Sequence, residues 1–328
     1  MDLILHSFGI SLSCNNGSFV VSQRDGEQKR LTPQGISSIQ ISRGVQITSD
    51  AILLALEYEI EVVIVDRAGR PQGRVWASRY GSISTIRKGQ VLFVSSPDAV
   101  EWIKEIICQK ILHQQALLLT LQTTDPRLQL SVARAVSRQE EILLKLRSTS
   151  ATTLRDVAPQ FRGWEGAAAK IYFETLSPFL PEQYQFSSRS QHPALDLPNA
   201  LFNYAYGMLY GKIEGILIKV GIDPYVGALH RDEHNRPVLV YDIIETYRVW
   251  ADYVVITLLC QEVFSDAHYS VSPDGAYWLE PLGRRILIQS MNDYLDELVV
   301  LNGLNRSRIT HLHLSMQQLA TRFKSYHQ

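Results

Sequence analysis

The feature that most limits how this chain can fold is a change in hydrophobic period near residue 95. Up to about residue 92, the apolar residues form short runs rich in β-branched side chains, for example at 19–21, 36–41 and 61–66. After the sequence SSPD at 95–98, they recur at the three- and four-residue spacing of amphipathic helices. The first pattern predicts strands and the second predicts helices, so the sequence indicates two domains of different class.

The first domain, 1–92, is predicted to be a small β domain with mostly antiparallel strands and one helix. Thr48, Ser49 and Asp50 offer side chains that can cap a helix, and apolar residues follow at helical spacing. The apolar run at 61–66 ends at a turn signal, the sequence RAGRP at 67–71.

The second domain, 93–328, is predicted to be larger and all-helical, which gives the α+β fold class. One long helix is expected from Ala99 to about Leu121, and Pro126 begins another that runs toward Arg147. A short irregular stretch is expected around the turn at 273–275. The remaining helices are predicted at about 164–176, 198–220, 241–263, 282–301 and 308–326.

Composition sets broad limits on function. The 328 residues are 45% hydrophobic and 20% charged, which is typical of a globular protein with about two domains. The net charge of −1 neither favours nor excludes nucleic acid, because a binding surface is a local feature. Three scattered cysteines, no basic leader before an apolar segment and no long uncharged apolar stretch predict a cytoplasmic protein without a membrane span.

Four acidic or imidazole residues lie in segments that could bring them to one point. They are Glu165, His230, Asp242 and Glu245. One imidazole with two or three carboxylates makes a hard, oxygen-rich set of ligands that suits Mg²⁺ or Mn²⁺. The set predicts metal-assisted chemistry on a phosphodiester.

A purely structural interpretation also fits the acidic residues. Glu165 is expected in the first turn of one helix and Asp242 with Glu245 in the first turn of another, where carboxylates complement the helix dipole. Glu245 can also pair with Arg248, three residues on. Two acids so close together would repel one another unless a cation or proton is present, which keeps the metal interpretation open.

His230 takes part in a second metal pattern. The sequence HRDEH at 230–234 matches the H-x-x-E-H motif of inverted zinc peptidases, which requires a helix. Pro224 and Gly227 precede the motif and the sequence NRP at 235–237 follows it, so a long helix is disfavoured. A turn is predicted instead, with 238–240 as an extended segment and with Glu233 and His234 as solvated turn residues.

A set of short motifs follows in order along the chain. They are ITSDA at 47–51, IVDRAG at 64–69, WEGAAAKIYF at 164–173, PNALFNYAY at 198–206, GIDP at 221–224, GALH at 227–230 and DIIETYR at 242–248 with Asp252. Taken in order, these motifs resemble the CRISPR-associated Cas1 family, the DNA-capturing integrase-nucleases of CRISPR adaptation. The resemblance covers nearly the whole chain, although Thr246 stands where the family often has Pro.

The resemblance implies a metal-dependent DNA endonuclease and integrase that inserts new spacer DNA into a CRISPR array. Glu165, His230 and Glu245 would hold Mg²⁺ or Mn²⁺, and Asp242 would either bind the ion or orient a ligand. A DNA 3′-hydroxyl would attack the target phosphodiester, and water in its place would give nicking. Double-stranded and branched DNA, a homodimer formed through the β domains and the small Cas2 protein are the implied partners. The alternative is a non-catalytic DNA-binding scaffold.

Overall fold

The computed structural model describes residues 2–36, 38–66, 69, 71–75, 83–121, 123–230 and 236–326. The chain divides into two compact units, Met1–Gly81 and Ser82–Gln328. The predicted boundary at 92/93 therefore differs from this division, because the helix Ile83–Val94 belongs to the second unit. Among the described residues, no helix combines the length and the apolar character needed to cross a bilayer.

The first unit contains two four-stranded sheets. The strands are β1 Asp2–Leu5, β2 Ser11–Asn15, β3 Ser18–Ser22, β4 Gln28–Leu31, β5 Ser38–Ser42, β6 Gln46–Ile47, β7 Glu61–Val65 and β8 Pro71–Val75. One sheet has the order β1-β5-β7-β8 and the other the order β4-β3-β2-β6. Pairing is antiparallel along β2, β3 and β4 and between β7 and β8, and it is parallel among β1, β5 and β7 and between β2 and β6.

The helix predicted inside this unit is present as α1, Ser49–Glu57. Its N-cap is Thr48, whose side chain accepts a hydrogen bond from the amide of Ala51 at 3.3 Å. Ala51 and Ala55 on the buried face of α1 pack into the same core as Phe19 and Ile39. Removing these apolar side chains from water holds the helix in this unit.

The second unit is built from long helices around a core that includes Phe161, Tyr172 and Leu209. The predicted arrangement of a β domain followed by a larger helical domain is thus confirmed. The helices are α2 Ile83–Val94, α3 Pro97–Thr120, α4 Pro126–Ser148, α5 Leu154–Leu176, α6 Leu197–Lys219, α7 Val238–Cys260, α8 Pro281–Asp296 and α9 Arg308–Ser325.

Helix α5 begins ten residues before the predicted start at 164. Pro159 and Gly163 argue against a helix locally, but Leu154, Val157 and Phe161 are buried in the core and favour a helix that runs through them. Glu165 consequently lies in the middle of α5. The expectation that it complements the dipole of a first turn is wrong.

Helix α7 also begins earlier than expected, directly after Pro237. The predicted extended segment at 238–240 forms its first turn, and all three side chains there are buried. Consecutive apolar and β-branched residues are typical of strands, and this is why an extended segment was predicted here. A helix that is surrounded by protein also carries apolar residues on every side, so the same pattern fits the buried start of α7. Asp242 and Glu245 therefore lie beyond the first turn, which contains no acidic residue.

The second unit is not all-helical, because it also contains two β-hairpins. The predicted irregular stretch forms β9 Tyr269–Val271 and β10 Tyr277–Leu279. The predicted helix 282–301 ends at Asp296, and the chain continues into β11 Leu298–Leu301 and β12 Leu304–Ser307. Asn302 and Gly303 join these two strands with positive φ angles of 51° and 77°. Such a turn favours a hairpin over a continued helix.

Candidate active site

The centre of the candidate site is a lysine between two glutamates from different helices. Helix α3 packs against both α5 and α7. From α3, the Lys110 ammonium donates to a carboxylate oxygen of Glu165 on α5 and to one of Glu245 on α7. The Lys110 side chain is only 5% exposed, so these carboxylates are its counterions in a poorly solvated space.

Arg248 completes the ion pairs of Glu245. Its Nε and Nη2 atoms each lie 2.9 Å from Oε1 of Glu245, while Lys110 contacts Oε2. This confirms the predicted pairing of Glu245 with Arg248. Burial alone would raise the pKa of Glu245, but the positive charges of Arg248 and Lys110 and their hydrogen bonds lower that pKa to about 2.

His230 and Asp242 form the second part of the site. The Nδ1 atom of His230 lies 2.7 Å from Oδ1 of Asp242. Asp242 also accepts backbone hydrogen bonds from Ala228 at 2.7 Å and from Leu229 and His230 at 3.2 Å. Because Nδ1 is engaged in this way, Nε2 is the ring nitrogen that can serve a ligand.

Negative charges act on the His230 imidazole. Burial alone would lower its pKa, but the hydrogen bond to Asp242 and the charges of Asp242, Glu245 and Glu165 raise the pKa above its usual value. The two parts of the site are therefore coupled electrostatically. The side chains of Glu165 and His230 are 24% and 27% exposed, so both remain accessible from solvent.

The segment that carries His230 is fixed from several sides. On α2, the buried Gln90 donates to the carbonyl oxygens of Asp223 at 2.7 Å and Val226 at 2.9 Å and accepts from the amide of Asp223 at 3.0 Å. On α5, Arg162 donates to the carbonyl oxygen of Leu229 at 3.3 Å. Helix α2 thus restrains the start of this segment, and α5 and α7 restrain its end.

Gly227 lies inside this segment because no larger residue fits. A Cβ atom there would come within 2.8 Å of both the carbonyl oxygen of His230 and Cγ2 of Val238. The segment turns so tightly onto the start of α7 that a side chain would force His230 away from Asp242.

A buried network of tyrosine and arginine side chains supports Arg248. The guanidinium of Arg248 lies 4.6 Å from the ring centroid of Tyr206 on α6. The hydroxyl of Tyr206 donates to Asp252, which also accepts from Tyr172 at 3.2 Å. Burial raises the pKa of Asp252 to about 6, although these hydroxyls and nearby Arg189 act in the opposite direction. Tyr206 thus contacts Arg248, which pairs with Glu245.

The donor set fits a divalent ion in its chemistry, since two carboxylates and one imidazole suit Mg²⁺ or Mn²⁺. Within the described part of the chain, however, no three His, Cys, Asp or Glu side chains are arranged to hold a metal ion as they stand. Lys110 occupies the space between the two glutamates instead. A metal site shared by Glu165, His230 and Glu245 stays a prediction. Glu233 and His234 of the zinc-peptidase pattern lie outside the described residues.

Sequence reasoning missed Lys110 and Gln90. Both are buried polar residues on faces of helices that otherwise enter the core. That pattern is a usable signal, because a polar side chain on an apolar face must find a partner inside the protein. The identity of the partner is not visible in the sequence, since Lys110 meets Glu165 and Glu245 at sequence separations of 55 and 135.

The fold and this site together define a class: a β unit followed by a helical unit that carries a carboxylate and imidazole cluster. Comparison with known protein families identifies the family to which this class of fold and site corresponds. The family of CRISPR-associated protein Cas1 matches residues 3–293 of this chain. The chain belongs to the Cas1 family.

Curated relatives agree with this assignment. The CRISPR-associated endonuclease Cas1 1 of Archaeoglobus fulgidus is 29% identical over 93% of this chain and 91% of its own length. The CRISPR-associated endonuclease Cas1 2 of Rhodospirillum rubrum is 28% identical over 85% of this chain and 81% of its own length.

Solved structures share the fold. A casposase bound to integration product has a TM-score of 0.83 at 20% identity, and the match covers 99% of this chain and 90% of that one. The Cas1 protein from Thermotoga maritima has a TM-score of 0.79 at 16% identity, with 98% and 97% covered. A chain of a Cas6-RT-Cas1–Cas2 complex has a TM-score of 0.82 at 21% identity, with all of this chain but only 36% of that chain covered.

Proposed function

We propose that this protein is a divalent-metal-dependent DNA endonuclease and integrase that inserts spacer DNA into a CRISPR array. The observation that carries the proposal is the convergence of Glu165 and Glu245 on one cationic position, next to the His230–Asp242 pair. Membership of a family whose curated relatives are named endonucleases supports the reaction class. The name of the casposase structure, with its integration product, supports strand transfer in particular.

Glu165, Glu245 and Nε2 of His230 are the groups that would hold the ion. A bound divalent metal would supply Lewis-acid polarisation of the target phosphodiester and would stabilise charge on the leaving oxygen. Arg248 helps to lower the pKa of Glu245 to about 2. Glu245 is therefore ionised at neutral pH and can serve as a ligand.

Asp242 acts through His230. It accepts from Nδ1 of the imidazole and from three backbone amides of the preceding segment, so its oxygens are already committed. These bonds select the tautomer with a free Nε2 lone pair and fix the orientation of the ring. Of the two roles that the resemblance left open for Asp242, the geometry favours orientation over direct metal binding.

Substrate and partners follow from the same proposal. A DNA 3′-hydroxyl at the site would give strand transfer, and water there would give nicking. The names of related structures include a Cas1–Cas2 complex and an integration product, which supports duplex and branched DNA and Cas2 as partners.

We also propose a homodimer through the β units, because Leu53 and Ile64 in the first unit are 62% and 43% exposed and would gain from being covered.

Strand transfer by the purified protein tests this proposal. A labelled duplex with 3′-hydroxyl ends is incubated with a plasmid that carries a repeat array, in Mn²⁺ or with chelator. Product is expected only with the metal, and Glu165→Gln should lower its yield by about a hundredfold or more because a charged ligand is lost.

Glu174→Gln is the matched control, since Glu174 lies on the same helix, is exposed and pairs only with Lys170 four residues away among the ion pairs seen. That variant should retain full activity. Duplex binding by Glu165→Gln should be preserved, because phosphate contacts come mainly from Lys and Arg. Duplex binding without any metal-dependent cleavage or joining by the unaltered protein would favour the non-catalytic scaffold.

A further inference from the structure

The charges around Glu245 are already balanced without a metal. Lys110 and Arg248 supply two positive charges, and Glu165 and Glu245 supply two negative ones. The side chains of Lys110 and Glu245 are 5% and 10% exposed. A divalent ion added to these four side chains would bring two further positive charges close to Lys110 and Arg248 in a poorly solvated space, at a substantial cost in free energy.

Lys110 also occupies the position that the ion would need. Its Nζ atom contacts one oxygen of Glu165 and one oxygen of Glu245, which are the two carboxylates that a shared cation would bridge. An ammonium and a divalent ion cannot both lie between the same two oxygens, because they would repel one another at short range. Arg248 does not conflict in this way, since it pairs with the other oxygen of Glu245.

Two roles of Lys110 are conceivable, and they have opposite consequences. If the ammonium only aligned the carboxylates for the metal, its removal would weaken metal binding. If it stands in for the metal, its removal would strengthen metal binding. The balanced charge and the bridging position of Nζ favour the second role.

Building on the proposed function, we propose that Lys110 is a resident counter-cation that a divalent metal must displace in order to bind Glu165 and Glu245. Lys110 then sets the metal affinity of this site. In the metal-free protein it also prevents the two carboxylates from repelling each other, so the helices that carry them stay packed.

The test measures Mn²⁺ binding rather than activity. Free Mn²⁺ is followed by electron paramagnetic resonance during titration of the full-length protein without DNA. Lys110→Met, which keeps length and removes charge, should bind Mn²⁺ about tenfold tighter or more. Lys110→Arg, which keeps the charge, should bind with the affinity of the unaltered protein. Equal binding by Lys110→Met would overturn the proposal, and weaker binding would overturn it and assign Lys110 the aligning role.

Lys104→Met is the matched control. Lys104 lies on the same helix, is mostly buried and pairs with Glu101, so its removal should leave Mn²⁺ affinity unchanged. Lys110→Gln is the second neutral variant if Lys110→Met does not fold, as judged by circular dichroism, and the same tighter binding is expected.

Glu245→Gln separates this proposal from the proposed function. It should weaken Mn²⁺ binding both in the unaltered protein and together with Lys110→Met. If it changes neither affinity, the ion binds elsewhere, and both the metal site and the role of Lys110 are wrong. If it weakens both but Lys110→Met binds no tighter, only the displacement of Lys110 is wrong.

Discussion

Gln90 and Asp223 form a paired hydrogen bond between a side chain and a backbone. The side-chain amide of Gln90 donates to the carbonyl oxygen of Asp223 at 2.7 Å, and its carbonyl oxygen accepts from the amide of Asp223 at 3.0 Å. Gln90 is fully buried, so its side-chain amide depends on these bonds rather than on water. Helix α2 therefore fixes the start of the segment that ends at His230.

Gln90→Leu should disturb His230 without removing a ligand. The change leaves partly buried backbone groups of Asp223 and Val226 without the bonds from Gln90 and should lower the free energy of unfolding by about 1–3 kcal/mol. Metal-dependent strand transfer should fall about tenfold or more, because the imidazole is less well oriented. Denaturant unfolding and strand transfer measure the two effects. Val91→Ala, at an exposed position on the same helix, should change neither. Full activity of Gln90→Leu would show that His230 is oriented without α2.

Asp242→Asn tests whether Asp242 orients His230. The amide group has one acceptor oxygen, so it cannot accept all four hydrogen bonds that the carboxylate accepts. Mn²⁺ affinity should fall about tenfold to a hundredfold, which is typical of losing a partner that orients a metal ligand. Titration with Mn²⁺ measures this, and Asp293→Asn, at an exposed position on α8, serves as the control. A complete loss of Mn²⁺ binding in a folded Asp242→Asn protein would instead indicate that Asp242 is a direct ligand.

Asp252 should make the folded protein less stable as the pH rises from 4 to 6, the opposite of what a carboxylate in an ion pair does. In the unfolded chain, the carboxyl group loses its proton near its ordinary pKa of 3.8, whereas in the folded protein burial raises that pKa to about 6. Between these values the folded state binds more protons, so the Asp252 contribution to stability falls as the pH rises from 4 to 6. Tyr172, Tyr206, Arg189 and Arg248 face this carboxyl and moderate the effect.

Asp252→Asn isolates that contribution. The difference in unfolding free energy between the unaltered protein and the variant should shift by up to about 3 kcal/mol between pH 4 and pH 6, in favour of the variant at the higher pH. Chemical unfolding at several pH values measures it. A constant difference across this range would mean that Asp252 is ionised throughout, held by the tyrosine hydroxyls and the arginines.

Leu53→Glu tests the proposed dimer. Leu53 lies in α1 of the β unit and is 62% exposed, so a charge there should not disturb that unit but should weaken an apolar interface that covers it. Sedimentation should show a dimer for the unaltered protein at micromolar concentration and a monomer for the variant. Leu119→Glu, at a similarly exposed position on α3, should remain dimeric. A monomer for the unaltered protein, with or without DNA, would refute the dimer.

The parts of the fold that depend on local physics were predictable from the sequence. The cap at Thr48 and the pairing of Glu245 with Arg248 both involve residues a few positions apart. The predicted change from strands to helices near residue 95 is placed too late, because helix α2 begins at Ile83. The starts of α5 and α7 were predicted wrongly because tertiary packing outweighs local preference at Pro159 and at 238–240. The hairpin around Asn302 and Gly303 did carry a local signal, the Asn-Gly pair, which indicates a tight turn.

The arrangement of the candidate site was harder to predict from the sequence. The resemblance to Cas1 named the residues, and the structure places Glu165 and Glu245 at one ammonium. Nothing in the sequence near Lys110 indicates that it pairs with residues 55 and 135 positions away. Such contacts depend on how α3 packs between α5 and α7, which is a property of the folded domain.

The wide spacing of the site along the chain has a consequence for synthesis. Lys110 and Glu165 leave the ribosome well before Glu245, and His230 is fixed only after Asp242 has been made. An unfinished or truncated product therefore lacks the proposed chemistry even if it binds DNA. Any product that ends before helix α7 lacks Asp242 and Glu245, and so it cannot assemble the candidate site.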